Sequence, residues 1–172
     1  MCRSWLFLAA LMVWWLGFIP VEAGAETRVG GGIHYWRTLD KVSLKNFDRD
    51  GFAYVVSLQH KSSALLKFQG DVEIFPSNYA GTSGTSWAPQ GFLLLGGGLY
   101  GGLGIGINYL EDGWAERPFY ILRAGVDIEL LPSIYLDIHA NYRFEQFNKI
   151  KSVDEDIDTD VVTLGAAVRI VF

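Results

Sequence analysis

The chain has 172 residues, enough for one domain and hardly two. Half of it is apolar and only 19% charged, and its 20 glycines, 6 tryptophans, 8 tyrosines and 11 phenylalanines favour extended structure with close backbone approaches over a helical bundle. A formal net charge of −5 argues against nucleic acid as a partner.

The first element has the pattern of an export signal. Arg3 supplies a positive start, Trp5 to Phe18 an apolar run, and Ala23-Gly24-Ala25 a small-x-small cleavage site. The pattern predicts a secretory signal peptide over 1–25 and a mature domain over 26–172. The apolar run is shorter than the ~20 residues a membrane-spanning helix needs, which disfavours an uncleaved anchor. The single cysteine, Cys2, leaves with the signal, so disulfides and thiol chemistry are excluded from the mature chain.

From residue 27 onward the period is two. Val29, Gly31, Ile33 and Tyr35 alternate with Arg28, Gly30, Gly32 and His34. Phe52, Tyr54, Val56 and Leu58 oppose Ala53, Val55, Ser57 and Gln59. Leu66, Phe68, Gly70, Val72 and Ile74 oppose Lys67, Gln69, Asp71 and Glu73. The stretch GGGLYGGLGIG, residues 96–106, matches G-x-G-x-x-G at Gly96, Gly98 and Gly101. No helix follows those glycines, and a dinucleotide fingerprint requires one. A transmembrane helix fails too, because each glycine costs roughly 1 kcal/mol relative to alanine in a helix interior. The stretch belongs to two glycine-rich strands. In the second, Leu103, Ile105, Ile107 and Tyr109 share one face, and Gly102, Gly104 and Gly106 the other. They form a bare wall across which Arg123 is expected to lie.

The clearest alternation follows. Tyr120, Leu122, Ala124, Val126, Ile128 and Leu130 oppose Arg123, Gly125, Asp127 and Glu129. Ile134, Leu136, Ile138, Ala140, Tyr142 and Phe144 oppose Tyr135, Asp137, His139, Asn141, Arg143 and Glu145. The last strand sets Val162, Leu164, Ala166, Val168, Ile170 and Phe172 against Thr163, Gly165, Ala167 and Arg169. The connections alternate between long (38–50, 76–89, 148–160) and short (61–63, 97–101, 131–133), with a medium one at 111–118. Eight strands result, with both termini at the short-turn end. This predicts an all-β chain, an eight-stranded antiparallel up-and-down transmembrane β-barrel.

The apolar face is nearly free of Lys and Glu on every strand, which argues for lipid outside and not water. Tyr35, Trp36, Phe52, Tyr54, Phe75, Trp87, Phe92, Tyr109, Trp114, Phe119, Tyr120, Tyr142 and Phe144 gather towards the long loops as an aromatic girdle, with Tyr100 and Phe172 in a sparser one opposite. Eight strands enclose only enough space for side chains to fill. The lumen is therefore expected to hold a near-neutral network: Arg28, Lys67, Arg123, Arg143 and Arg169 against Asp71, Glu73, Asp127, Glu129, Asp137 and Glu145, with His34 and His139 nearby. Leu130 and Ile134 both point outward, so an odd number of residues must turn the chain between them. Asp127 and Asp137 then meet in the lumen, and Arg169, level with them, is expected to pair with the acidic couple.

The strands FYILRAGVDIELLPSIYLDIHANYRF and the terminal LGAAVRIVF resemble the small OmpA/OmpX-type outer-membrane barrels of Gram-negative bacteria. The resemblance covers essentially all of 26–172. It implies residence in the outer membrane, contact with its lipid and lipopolysaccharide, and an assembly signal for the outer-membrane assembly machinery carried by Val168, Ile170 and Phe172. A monomer is expected. The group includes structural anchors, adhesins, small conduits and a few lipid A enzymes. The enzymes of this size use a lipid-facing His-x-Ser pair. Here the nearest match is His139-Ala140-Asn141, with no serine and with His139 on the lumen face. His34 has no serine or carboxylate at useful spacing on its own strand.

No His/Asp/Glu set has the spacing of a closed metal site, and no cofactor is expected. The acidic run Asp154 to Asp160 lacks the glycine and distal Glu of an EF-hand loop, and a solvated loop is the plainer reading. Lys149 and Lys151 beside it are candidates for lipopolysaccharide phosphates. The role expected is structural or a surface interaction through the loops, without enzymatic activity. A narrow conduit or binding protein for small or apolar solutes is the alternative, and a lipid A-modifying enzyme a weaker one.

Overall fold

The computed structural model describes residues 25–39, 50–76, 84–110, 113–144 and 160–172. Residues 1–24 of the expected signal peptide, together with Glu145, Lys149, Lys151 and the acidic run 154–159, lie outside the described residues.

Ten strands appear in chain order: β1 Glu26–Thr38, β2 Asp50–Lys61, β3 Leu66–Phe75, β4 Ser86–Gly96, β5 Leu99–Gly106, β6 Tyr109–Leu110, β7 Gly113–Trp114, β8 Phe119–Leu131, β9 Ile134–Phe144 and β10 Val161–Val171. Eight are long and build the wall. β6 and β7 form a two-residue hairpin that rides on β4, where Trp87 pairs with Tyr109. Every long strand is antiparallel to its neighbours, and β1 pairs with β10 from Thr38↔Val161 to Arg28↔Val171, so the barrel closes without a free edge. Closure matters in lipid, where an unpaired backbone N–H or C=O costs several kcal/mol.

The two faces follow the alternation. Ile33, Tyr54, Val56, Leu103 and Leu164 are each more than half exposed on the outside. Arg28, His34, Lys67, Glu73, Arg123, Asp137 and Arg169 are nearly inaccessible on the inside. Apolar outside and charged inside inverts the order of a water-soluble barrel, and only lipid satisfies such an exterior.

The turn between β8 and β9 shows how register is set. Leu131 pairs with Ile134 across Pro132-Ser133, with Ser133 at φ 68°. Proline followed by a left-handed residue is type II turn chemistry. A bulge between Glu129 and Leu131 supplies the third residue, so the odd count required by parity is met as a two-residue turn plus one. Glu129 keeps its register opposite Tyr135 and hydrogen-bonds it, but stands exposed at the barrel end, so it meets the lumen network only at its rim.

The aromatic girdle is also corrected. Trp36, Phe75, Phe92 and Phe119 are buried inside the barrel, each at 5% exposure or less. Each shares the parity of a lumen residue on its own strand, so its side chain points inward whatever its height. With Ala53, Ala88, Ile121 and Val161 they form an apolar cluster in the lumen, most of it near the strand ends that lead to the long connections. Tyr100 is likewise inside, on the parity of Gly102, Gly104 and Gly106. An outer aromatic group does exist: Trp87, Tyr109 and Trp114 pack together with ring centroids 5.1–5.8 Å apart.

The glycine wall of β5 is covered, but not by Arg123. A methyl placed on Gly102 would overlap Leu94, on Gly104 the ring of Phe92, and on Gly106 the ring of Phe119. Arg123 lies one layer further in, its guanidinium 3.6 Å from the centroid of Phe92. The glycines are needed because β4 and β8 lean large side chains across them. Gly104→Leu should therefore fail to fold into lipid vesicles, and Gly104→Leu combined with Phe92→Ala should recover folding. Gly91→Ala, at a position with open space around it, is the control and should shift stability by less than about 0.5 kcal/mol. Urea unfolding in vesicles measures all three.

Candidate functional site

The lumen is the only described region where charged groups are concentrated and sequestered, and it divides into three linked layers. At the short-turn end, Asp127 Oδ2 accepts from Arg28 Nη1 at 2.6 Å and from Lys67 Nζ at 2.9 Å. Arg28 Nε also donates to Glu26 at 2.5 Å, and Lys67 to the carbonyl of Gly97 at 2.8 Å. The Gly97 carbonyl is free to accept because it sits in the tight β4–β5 turn, where Gly96 has φ 124°.

In the middle layer Arg123 Nη1 donates to Asp71 at 2.8 Å and its Nε to Asn141 at 2.7 Å. Gln69 donates to both oxygens of Asp71 and accepts from Gln59. Asp137 takes the hydroxyl of Tyr100 at 2.6 Å and the Nδ1 of His139. Arg169 Nη1 stands 2.6 Å from Asp137, an ion pair by distance without hydrogen-bond angles, and its Nε donates to Ser57 at 3.1 Å. The Asp127–Asp137 couple is side by side in the sheet, as the turn count requires. Arg169 reaches only Asp137, while Arg28 and Lys67 share Oδ2 of Asp127.

Towards the long-loop end, Glu73 accepts from Arg143 Nη2 at 2.6 Å and Gln90 Nε2 at 2.7 Å and meets His34 Nδ1 at 2.8 Å. His34 and His139 then meet through their Nε2 atoms at 3.0 Å. One hydrogen-bonded chain thus runs from Glu73 through both imidazoles to Asp137.

The sheet rows explain how these groups come together. His34, Gly165 and His139 are successive cross-strand partners, followed by Gly125 and Tyr100. Large polar residues alternate with glycine along the row. Any Cβ on Gly165 would press on both imidazoles, and any on Gly125 on Tyr100. Small residues thus give the room in which the polar ones touch.

Four of the five lumen cations also rest on aromatic faces: Arg28 on Tyr135, Lys67 on Tyr100, Arg123 on Phe92, and Arg143 on Phe119. The inward aromatics are therefore part of the charge network, and each such contact contributes about 0.5–2 kcal/mol when desolvated. Of the residues expected in the network, Arg28, Lys67, Asp71, Glu73, Arg123, Asp127, Asp137, His139, Arg143 and Arg169 lie in the lumen. Tyr100, Gln59, Gln69, Gln90, Asn141 and Ser57 join them as neutral partners. Their common signal was parity alone, which a search restricted to charges passes over. No group of three or more His, Cys, Asp or Glu among the described residues is arranged to hold a metal ion. Val168, Ile170 and Phe172 face outward at the end of the chain.

No protein-family model and no curated protein sequence matches the chain. Solved structures do. Neisserial surface protein A (NspA) shares 17% identity, with a TM-score of 0.61 over 87% of this chain and all of its own. Ail, the attachment invasion locus protein of Yersinia pestis, solved with the heparin analogue sucrose octasulfate, shares 13% with a TM-score of 0.51 over 87% of this chain and all of its own. The outer membrane protein OprG from Pseudomonas aeruginosa shares 13%, with a TM-score of 0.49 over 85% of this chain and 96% of its own. The chain has the fold of the small eight-stranded outer-membrane barrels.

Arg169→Ala should destabilise the barrel by about 3–5 kcal/mol, since it strips a buried carboxylate of its permanent cation. Tyr100→Phe should cost less, about 1–3 kcal/mol, for one lost hydrogen bond to the same carboxylate. Urea unfolding in lipid vesicles reads both, and an Arg169→Ala variant as stable as the parent would show that Asp137 does not depend on that cation.

Proposed function

We propose that this eight-stranded barrel, with the fold of small outer-membrane proteins, is a closed, non-enzymatic anchor of the bacterial outer membrane that acts through the surface carrying its long connections. The observation that supports the reading is the packing of side chains across the lumen. Ion pairs cross it in three layers, and Trp36, Phe75 and Phe119 pack over them towards the long-loop end. A hydrated path would have to displace bonded charges and a buried aromatic cluster together.

The setting of His139, the nearest match to a lipid-facing His-x-Ser pair, supports the non-enzymatic side. His139 is turned inward and fully engaged between Asp137 and His34, and the position two residues on is Asn141. On this reading the outer belt meets outer-membrane lipid and, at Trp87, Tyr109 and Trp114, the lipopolysaccharide headgroup region. The terminal Val168, Ile170 and Phe172 present the alternate apolar groups read by the outer-membrane assembly machinery. On this reading the barrel works as a monomer, its eight-stranded wall closed strand to strand.

Planar-bilayer recording tests the closed lumen. The parent protein should insert without discrete conductance steps. A Trp36→Ala, Phe75→Ala, Phe119→Ala triple variant, folded in the same bilayers, should begin to conduct. Stable single-channel steps from the parent would establish a conduit instead.

A further inference from the structure

The chain Glu73–His34–His139–Asp137 has a consequence for proton content. Its three contacts are His34 Nδ1 to Glu73 at 2.8 Å, His34 Nε2 to His139 Nε2 at 3.0 Å, and His139 Nδ1 to Asp137. Each needs one hydrogen between its two heavy atoms. Two neutral imidazoles supply only two. With two, one contact becomes a meeting of lone pairs: Nε2 against Nε2, or a bare Nδ1 against a carboxylate. With four, the two Nε2–H groups collide. We infer that the His34–His139 pair is a buried proton-binding site, holding one extra proton shared between the two Nε2 atoms.

The surroundings suit a fixed, single proton. Both imidazoles are almost wholly buried, so neither nitrogen can turn to water. Gly165 lies on the strand between the two that carry them, and its lack of a side chain lets the rings meet at their Nε2 atoms with near-perpendicular planes, centroids 4.9 Å apart. The charged and titratable groups around the pair are Glu73 and Asp71 on β3, Arg143 and Asp137 on β9, Arg169 on β10, Arg123 on β8 and Tyr100 on β5. β4 adds only the neutral Gln90, and β2 shows no charged group in the lumen among the described residues. Arg143 and Arg169 already balance Glu73 and Asp137, and Arg123 balances Asp71. The hydrogen-bond count therefore assigns the third proton, and the cations set how firmly it is held.

The sign of the pH dependence follows. In the unfolded chain each His titrates near a pKa of about 6.5, so the pair carries four protons well below that pH and two well above it. The folded pair carries three throughout. Where the unfolded state holds more protons, stability rises with pH; where it holds fewer, stability falls. The pair's contribution is thus a bell with its maximum near pH 6.5, approaching a tenfold change in folding constant per pH unit on either side.

The experiment compares urea unfolding of the parent and of a His34→Gln, His139→Gln variant in lipid vesicles from pH 5 to 8, taking the ratio of their folding constants. A ratio that peaks near pH 6.5 supports the shared proton. A ratio that rises with pH and then levels off means a neutral pair, and one that only falls with pH means two full cations. Either overturns the inference. Should the variant not fold, nitrogen chemical shifts of 15N-histidine in the parent decide the same question. Three protonated nitrogens across the two rings at pH 6.5 are expected, and two or four would refute them.

Discussion

An eight-stranded barrel has an interior one or two side chains wide, and in this chain that interior is charged. Every ion inside is cut off from bulk water, at a cost of several kcal/mol, and is compensated by partners within the lumen. That constraint explains most of what is seen. Asp127 sits between Arg28 and Lys67, Asp71 opposite Arg123, Glu73 under Arg143, and Asp137 beside Arg169. The pairs on Asp127, Asp71 and Glu73 link strands that face each other across the lumen, while Arg169 reaches Asp137 from the adjacent strand.

The glycines follow from the same shortage of space. If every lumen residue were large, the strands could not close. Where a row carries His34, His139 and Tyr100, it carries Gly165 and Gly125 between them. Where β4 and β8 point Phe92 and Phe119 inward, β5 answers with Gly104 and Gly106. Aromatic rings then serve two ends at once. They fill volume without adding charge, and their faces receive the guanidinium groups of Arg123 and Arg143. Packing and electrostatics are one problem here, solved by alternating small, aromatic and charged residues around each ring of the barrel.

The outside obeys the opposite rule. It needs only to be apolar at mid-height and aromatic near the headgroups, a weak demand that many residues meet. This asymmetry fits the low identity to NspA and Ail beside a clear likeness of fold. A lipid-facing surface and a closed hydrogen-bonded cylinder recur with little constraint on sequence. The lumen asks more, because each buried charge there needs a specific partner.

Strand number, the inward and outward faces, and the meeting of Asp127 with Asp137 were legible in the sequence, because period two is a local property and the turn count carries it from strand to strand. Parity would also have placed Trp36, Phe75, Phe119 and Tyr100 inside, but an aromatic residue near a barrel rim suggests a girdle, and height alone does not tell lumen from lipid. Three things were decided only by the tertiary structure. The shear of the closed cylinder chose which cation reached which carboxylate, giving Asp127 to Arg28 and Lys67 and leaving Arg169 for Asp137. It laid Phe92 over Gly104 where Arg123 had been expected. It also brought His34 and His139, 105 positions apart, to within 3.0 Å. Alternation tells which way a side chain points, but whom it meets inside a barrel depends on the stagger between strands, which is settled only when the last strand closes on the first.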